Sequence, residues 1–465
     1  MSTSQRRALT IRPSPARRAA FEILRRVERE DAYASSLLVA LDEELRADDR
    51  ALCHELVLGV LRRQLWLDTA LQHLANRRAA NLDLAVKVAL RIGLYQLRFL
   101  TRIPPSAAVN ESVRLVRAAG LKSAAGFVNA VLRRATREPD YDPTANVTDP
   151  LMKFAIGTSH PRWLIERWVG AFGLEETLAL ARANNEAAPV AFRLTAKALQ
   201  GQEGRRIIEE LKVSGAQIVP SRIAPDAWRV IGPGTAGDGK RVNAGALLRK
   251  LSLNGLIYLQ DEASQLVAHQ LAAGNGDRVL DVCAAPGSKT THLAALTPQT
   301  AIVAGDLYGH RLRRLRELAT TQGVNNLQLV VHDASRDLPF AGAAFDRVLI
   351  DAPCSGTGTL RRNPEIRWRL NPSDIAELGA KQKRMLANAA AIVRPGGLLL
   401  YSTCALETDE NESVVDDFLQ EHAEFRQAPL AAAPELLTEA GAIRTWPHRN
   451  DVDGFFIMAL RRKSV

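Results

Sequence analysis

The sequence predicts a multidomain protein: an all-α bundle first, a small α+β segment next, and an α/β unit last. Three observations lead there. A chain of 465 residues exceeds what one hydrophobic core usually serves. Apolar residues recur at helical spacing through residues 14–137. From about residue 255, short apolar runs alternate with helical patterns, which is how a parallel sheet covered by helices on both faces reads.

The bundle, assigned to 14–140, carries apolar triplets such as Phe21, Leu24 and Val27, then Leu52, Leu56 and Val60, then Val86, Leu90 and Leu94. The spacing predicts five to seven helices. Pro104-Pro105 interrupts the pattern, and Ser106 stands where an N-cap is expected. Arg62, Arg63, Arg133 and Arg134 are expected on polar faces. Residues 1–140 hold 24 Lys and Arg against 15 Asp and Glu, so they carry nearly all of the net charge of +10. Charge so unevenly placed attracts phosphate and favours nucleic acid as partner. Residues 1–13 are basic, free of acidic side chains and without an apolar stretch, so a disordered extension is expected rather than a secretory signal.

Residues 138–150 are rich in Pro and Asp and read as a linker into a small α+β domain, the pair spanning 141–250. Ala191 to Thr195 and Ala216 to Val219 read as strands, Gly204 to Lys212 as a helix, and Gly232 to Gly239 as a loop. Four cysteines are too few for a disulfide framework and are not clustered as zinc ligands, so no metal is expected and a reducing, cytoplasmic setting is. No apolar run approaches the length that spans a bilayer. Cys53 and Cys283 read as small core residues.

In the last unit, 251–465, the apolar runs are Arg278 to Val282, Ala301 to Ala304, Leu327 to Val331, Arg347 to Ile350 and Leu398 to Tyr401. Gly454 to Leu460 adds a final strand, expected antiparallel and at the edge. Ligands of such sheets bind beyond the carboxyl ends of the strands. Asp281, Asp306, Asp333 and Asp351 fall there in turn. The first strand runs into Cys283-Ala284-Ala285-Pro286-Gly287-Ser288-Lys289, where Gly287 permits close backbone approach and Lys289 opens a helix. This turn is neither Gly-x-Gly-x-x-Gly nor a P-loop. Asp306, 25 residues past Asp281, suits ribose hydroxyls. A nucleoside cofactor without a phosphate chain, S-adenosylmethionine, fits best.

Two cysteines stand at the same sheet edge, in Asp351-Ala-Pro-Cys354 and Tyr401-Ser-Thr-Cys404. C5 of cytosine is a poor nucleophile until a thiolate adds at C6 and makes the ring enamine-like. A second thiol or a base then completes elimination. Amino-group methylation is disfavoured, because Asp351-Ala-Pro-Cys354 replaces the Asp/Asn-Pro-Pro-aromatic loop of those enzymes.

On these residues the chain resembles the RNA cytosine-C5 methyltransferases, RsmB/NOP family, of the type acting on 16S ribosomal RNA. Further matching segments are Gln260 to Gln265, Gly356-Thr-Gly358, Asn363 to Trp368 and Asp453 to Phe456, and the N-terminal helices are similar to NusB. The resemblance implies a NusB-like RNA-binding bundle, a ferredoxin-like segment and a Rossmann-like class I methyltransferase. It implies Cys404 as nucleophile, Cys354 as the residue assisting product release, and Asp351 contacting both the cytosine and the cofactor pocket. It gives the turn Cys283 to Lys289 to the methionine part of S-adenosylmethionine, Asp306 to the ribose and Asp333 to the adenine side. Ser288 departs from the family, where a second glycine is common. The implied partner is 16S rRNA presenting an unpaired or flipped cytosine to a monomeric enzyme, with Trp368 and Tyr401 as stacking candidates or plain core aromatics. A transfer RNA target would use the same motifs. A non-catalytic RNA-binding or antitermination factor on a silent methyltransferase fold would let the cysteine motifs decay, and they are intact.

Overall fold

The computed structural model describes residues 12–41, 45–232 and 244–464, so the expected extension up to residue 11 and most of the loop expected at 232–239 lie outside it. Contacts divide the chain into two units, the first running to Ala187 and including Leu360–Leu370, the second holding the rest.

Among the described residues the first unit begins with seven α-helices: α1 Pro15–Glu30, α2 Ala34–Leu41, α3 Ala47–Arg62, α4 Gln64–Ala75, α5 Leu84–Phe99, α6 Pro105–Ala118 and α7 Ala125–Arg137. The apolar stripes meet in one core that includes Phe21, Leu24, Leu56, Leu71, Leu90, Ile92 and Leu132. Helix α6 starts at Pro105, and no side chain caps it. Ser106 therefore sits inside the first turn, two positions past the cap residue Pro104. Proline serves at the first position because the N–H it lacks would have no partner there. The expected linker leads directly into three further helices, α8 Pro150–Thr158, α9 Arg162–Phe172 and α10 Leu174–Ala183. Asp149 caps α8, its carboxylate accepting from the N–H groups of Leu151 and Met152 at 2.9 and 3.2 Å. The Asp-Pro pair read as a break is thus a helix start.

Leu360–Leu370, remote in sequence, is held in this unit by polar anchors. The Arg367 side chain is buried and donates to Ser159 O at 3.0 Å, Asn185 Oδ1 at 3.0 Å and Asn184 O at 3.2 Å. Trp368 Nε1 donates to Leu61 O at 3.0 Å, and Glu365 accepts from the Ala34 N–H at 2.8 Å. Arg62, expected on a polar face, is buried instead, because its guanidinium donates to Arg361 O at 2.6 Å.

The second unit begins with a four-stranded sheet, order β2-β3-β1-β4, all neighbours antiparallel. Its elements are β1 Val190–Leu194, α11 Glu203–Val213, β2 Gln217–Pro220, β3 Ala227–Gly232, α12 Ala244–Leu253 and β4 Ile257–Leu259. Beyond it come α13 Glu262–Gln270, β5 Val279–Asp281, α14 Ser288–Leu296, β6 Ile302–Asp306, α15 Gly309–Thr321, β7 Leu327–Val331, β8 Phe345–Asp351, α16 Pro372–Ile392, β9 Val393–Thr403, α17 Glu412–Glu421, β10 Phe425–Ala428, β11 Ile443–Arg444 and β12 Phe456–Arg462. The second sheet runs β10-β12-β9-β8-β5-β6-β7, with β11 beside β12. Strands β5 to β9 are mutually parallel and β12 is antiparallel to β9. The final strand is therefore antiparallel as expected but not at the edge. The short, half-polar β10 covers it, which removes a long unpaired edge. Strand order reverses at β5, placing the ligand crevice at the carboxyl ends of β5, β6 and β8.

Removing the Arg367 guanidinium takes the donor from Ser159 O, Asn184 O and the half-buried Asn185 Oδ1. We expect Arg367→Ala to cost the helical unit roughly 2–4 kcal/mol. Urea unfolding followed by circular dichroism will read this as a lower midpoint, and an unchanged midpoint would show that the segment is held by other contacts.

Candidate active site

Every acidic residue expected at the strand ends is there. Asp281 closes β5, Asp306 closes β6, Asp351 closes β8, and Asp333 lies just past β7. Between β5 and α14 the chain turns through Cys283, Ala284, Ala285, Pro286 and Gly287. The Ala285–Pro286 peptide is cis, and Gly287 has φ 114°, open to glycine only. A Cβ on Gly287 would also stand 2.9 Å from Leu315 Cγ. Ser288 is the first helical residue, so the departure from a second glycine falls where ordinary backbone angles are wanted. Thr290 locks the turn, donating to Asp281 Oδ2 at 2.7 Å, and the Ala284 N–H donates to Gly305 O at 2.8 Å.

Burial lifts the Asp281 carboxyl to about 7, the neighbouring Asp351 adding to the effect and the hydrogen bond from Thr290 opposing it. Burial and the charges of Asp281, Asp351 and Asp306 push the Cys283 thiol well up, so it stays protonated. Asp306 receives the Tyr308 N–H at 3.0 Å and lies 3.4 Å from Arg311, which also donates to Ala285 O at 2.7 Å. Hydrogen bonds from Ser335 hold Asp333 below the usual carboxylate range.

Lys289 reaches from α14 to Asp351, Nζ to Oδ2 at 2.6 Å, with its ammonium 5.0 Å over the Phe455 ring. Burial works against its charge, but Asp351 more than compensates and raises the lysine above its ordinary value. The other Asp351 oxygen accepts from Ser402 Oγ at 2.9 Å. Asp351 is thereby fixed at both oxygens.

The two cysteines meet. Cys354 Sγ and Cys404 Sγ are 3.3 Å apart, both half-buried and free of disulfide. The contact with Cys404, together with burial, pushes the Cys354 thiol well above its ordinary pKa. Their loops share one frame. Gly358 N donates to Cys404 O at 2.9 Å and Gly454 N to Gly358 O at 2.8 Å, and a Cβ on Gly358 would stand 2.1 Å from Gly454 O. Glu410 Oε2 accepts from the Ser355 N–H at 2.8 Å and from Gln382 at 2.9 Å, while Gln382 also binds Pro353 O. Thr357 Oγ1 accepts from the Leu406 N–H at 2.9 Å.

Sequence reasoning missed Ser402, Thr290, Gln382 and Glu410. Ser402 lies within a quoted motif and could have been found from its register opposite Asp351. Glu410 sits in the acidic run Glu407 to Glu412 and carries no such signal. Tyr401 is fully buried with its hydroxyl donating to Glu410 O, so it packs and is no base platform, while Trp368 lies in the segment grouped with the helical unit, its Nε1 donating to Leu61 O.

The charges at the strand ends decide what can bind. Four carboxylates gather there, and Lys289 and Arg311 are already paired with Asp351 and Asp306. Such a crevice repels phosphate. It suits ribose hydroxyls and a ligand carrying ammonium and sulfonium charges, which is S-adenosylmethionine. Among the described residues, no group of His, Cys, Asp and Glu could hold a metal ion, and no helix is long and apolar enough to cross a membrane.

Fold and site define a Rossmann-like, S-adenosylmethionine-dependent methyltransferase preceded by a ferredoxin-like sheet and a NusB-like helical domain. Comparison with known proteins gives the particular family. The family described as 16S rRNA methyltransferase RsmB/F matches residues 268–461, the NusB family matches 14–137, and the ferredoxin-like domain of RsmF/B-like methyltransferases matches 160–236. A Bacillus subtilis (strain 168) protein named "Probable ribosomal RNA small subunit methyltransferase B" is 33% identical over 457 residues, 96% of this chain and 98% of that protein. An Erwinia tasmaniensis protein named "Ribosomal RNA small subunit methyltransferase B" is 33% identical over 95% of this chain and 97% of its own length. The solved structure of PH0851 superposes with a TM-score of 0.80 at 28% identity, covering 97% of this chain and 99% of that one. The chain belongs to the RsmB/F family of 16S rRNA methyltransferases. The ferredoxin-like match starts at residue 160, so α9 and α10 go with that domain in sequence although their contacts group them with the bundle.

The raised Asp281 gives a pH test. A carboxyl whose folded pKa lies above its unfolded value stabilises the fold fully below about pH 4 and loses that contribution as pH rises through 7. Asp281→Asn keeps an acceptor for Thr290 without the charge. We expect it to match the parent protein near pH 4 and to exceed it above pH 7 by up to about 4 kcal/mol. Thermal melts across that range that stay parallel would rule this out.

Proposed function

We propose that this protein transfers a methyl group from S-adenosylmethionine to C5 of one cytosine in 16S ribosomal RNA, through a covalent bond between Cys404 Sγ and C6. The observation that carries the reading is the 3.3 Å approach of two free thiols beside the pair formed by buried Lys289 and half-buried Asp351. A non-catalytic RNA-binding role would give that arrangement no purpose.

In this reading the turn Cys283 to Lys289 holds the methionine part of the cofactor, Asp306 the ribose hydroxyls and Asp333 the adenine side. When bound, S-adenosylmethionine supplies an electrophilic methyl carbon. The target base is unpaired or flipped out, because C5 and C6 are hidden within a helix. Cys404 Sγ, as thiolate, bonds C6. The C5–C6 π pair moves through the ring to N3, which takes a proton from solvent and donates it as a hydrogen bond to the fixed carboxylate of Asp351. C5 then takes up the methyl group. The C5 proton leaves to solvent, the C5–C6 double bond re-forms, Cys404 departs as thiolate, and N3 returns its proton.

The role of Cys354 follows from its proton. The raised Cys354 thiol keeps its hydrogen and can donate it to the departing Cys404 sulfur, which stabilises the leaving thiolate. Lys289 keeps Asp351 oriented and excludes it from the donor's positive charge. The enzyme acts as a cytoplasmic monomer on this account.

Two variants separate the roles. Cys404→Ala should abolish methylation and form no adduct. Cys354→Ala should still attack and methylate but release poorly, so a protein–RNA adduct accumulates on a denaturing gel. The activity itself is tested with labelled S-adenosylmethionine and unmodified small-subunit RNA, followed by mapping of the modified position. Full activity in the Cys404 variant, or label on a nitrogen or a ribose, would overturn the proposal.

A further inference from the structure

We propose that the C-terminal end of α4 is a contact site for single-stranded RNA, with one base stacked on the paired rings of His73 and Tyr141 and flanking phosphates on Arg77 and Arg78. This rests on the RNA reading above and adds a recognition surface remote in sequence from the catalytic motifs.

The rings form a ready platform. His73 and Tyr141 stack with centroids 4.1 Å apart and planes 7° from parallel. Neighbours hold them in place. His73 Nε2 lies 2.8 Å from Glu138 Oε2, while Arg134 donates to Glu138 Oε1 at 2.7 Å and to His73 O at 3.0 Å. A stack already fixed loses little entropy when a third ring is added. Both rings border a shallow cavity of about 420 Å³ that also takes in Gln72, Asn76, Arg77 and Arg78. That volume lies in the range of small-ligand sites and is open to solvent on one side, as a strand passing over it requires.

The lining has the chemistry of a splayed nucleotide. Base faces stack on aromatic rings, base edges bond to amides, and phosphates go to guanidiniums. Gln72 lies in the last turns of α4 and Asn76 is its left-handed C-cap, and both supply amides to the same cavity as the rings. Arg77 and Arg78 are exposed, and neither side chain has a partner among the described residues. Acidic residues also stand near Tyr141 in the chain. Glu138 is occupied by Arg134 and His73, Asp142 accepts from Thr144, and Asp140 is exposed. The larger groove along α1 and α6 is the rival for RNA, but its Arg114 is paired with Glu111 and its Phe21 ring is buried, so it offers no platform.

The test uses the full-length protein and a fluorescein-labelled mixed-sequence single-stranded RNA 12-mer, with anisotropy read across a salt series. Arg77→Ala with Arg78→Ala should weaken binding and reduce the slope of log K against log salt by about 1.4, two phosphates at roughly 0.7 each. Tyr141→Ala should weaken binding roughly 10-fold with the slope unchanged, and Tyr141→Phe should bind as the parent does. On unmodified small-subunit RNA, both weakened variants should raise KM for RNA and leave kcat and KM for S-adenosylmethionine alone. Unchanged affinity and slope in the arginine variant overturn the site. Loss in the arginine variant without loss in Tyr141→Ala overturns the stacked base. Either failure leaves the covalent mechanism standing if Cys354→Ala still traps its adduct, and absence of that adduct with normal RNA affinity counts against the mechanism alone.

Discussion

The register of one strand pair governs this molecule's chemistry. Strands β8 and β9 run parallel with Asp351 opposite Ser402. Cys354 follows three residues after the first, Cys404 two after the second, and both leave the sheet on the same edge. A slip of one residue would turn alternate side chains to opposite faces and part the sulfurs. Such a slip is resisted by Leu349, Ile350, Leu400 and Tyr401, all buried, which make the pair central and covered on both faces. The hydrophobic term thus sets the position of two polar atoms. The loops beyond the strands are then tied by Ala352 N on Ser402 O and Gly358 N on Cys404 O, bonds that continue the strand pairing past its formal end.

A parallel edge alone would leave those loops mobile. What stiffens them is a buried polar frame: Glu410, Gln382, Thr357 and Asn411, each bonded to a backbone group of a catalytic loop. Burial raises the Glu410 carboxyl, so its presence carries a cost that Ser355 and Gln382 offset only in part. Cost of this kind at a site, with apolar packing beneath it, is how a fold trades stability for fixed geometry. The close contact of Gly358 with Gly454 belongs to the same design, since any side chain at either would separate the loop bearing Cys354 from the strand bearing Cys404's neighbours.

How much of this the sequence carried depends on burial. The parallel strands were legible because each is apolar throughout, as strands covered on both faces must be, and the cysteine and aspartate motifs stand at their ends. Helices α1 to α7 were legible from their stripes. What stayed hidden is whatever depends on distant partners. Strand β10, Phe425-Arg-Gln-Ala428, has no apolar run and exists because β12 offers it an edge. Arg62 and Arg367 look like surface cations until the carbonyls of remote segments take them inside. The assignment of Leu360–Leu370 to the helical unit, though it is flanked by methyltransferase strands, has no local signature. Glu410 is one acidic residue in a run of them.

The spacing of the thiols also limits how they ionise. Two thiolates 3.3 Å apart would repel strongly in a half-buried site, so one proton is retained by the pair across a wide pH range. The raised pKa of Cys354 says where it stays. A thiol that keeps its proton is suited to donate a hydrogen bond to the sulfur beside it. The two sulfurs are positioned differently: Cys354 lies in a loop fixed by Glu410 and Gln382, while Cys404 directly follows the strand whose Ser402 holds Asp351. Ser402, which holds Asp351, and Cys404 are thus near neighbours at one strand end, and the same register that joins the sulfurs fixes where they stand relative to that carboxylate.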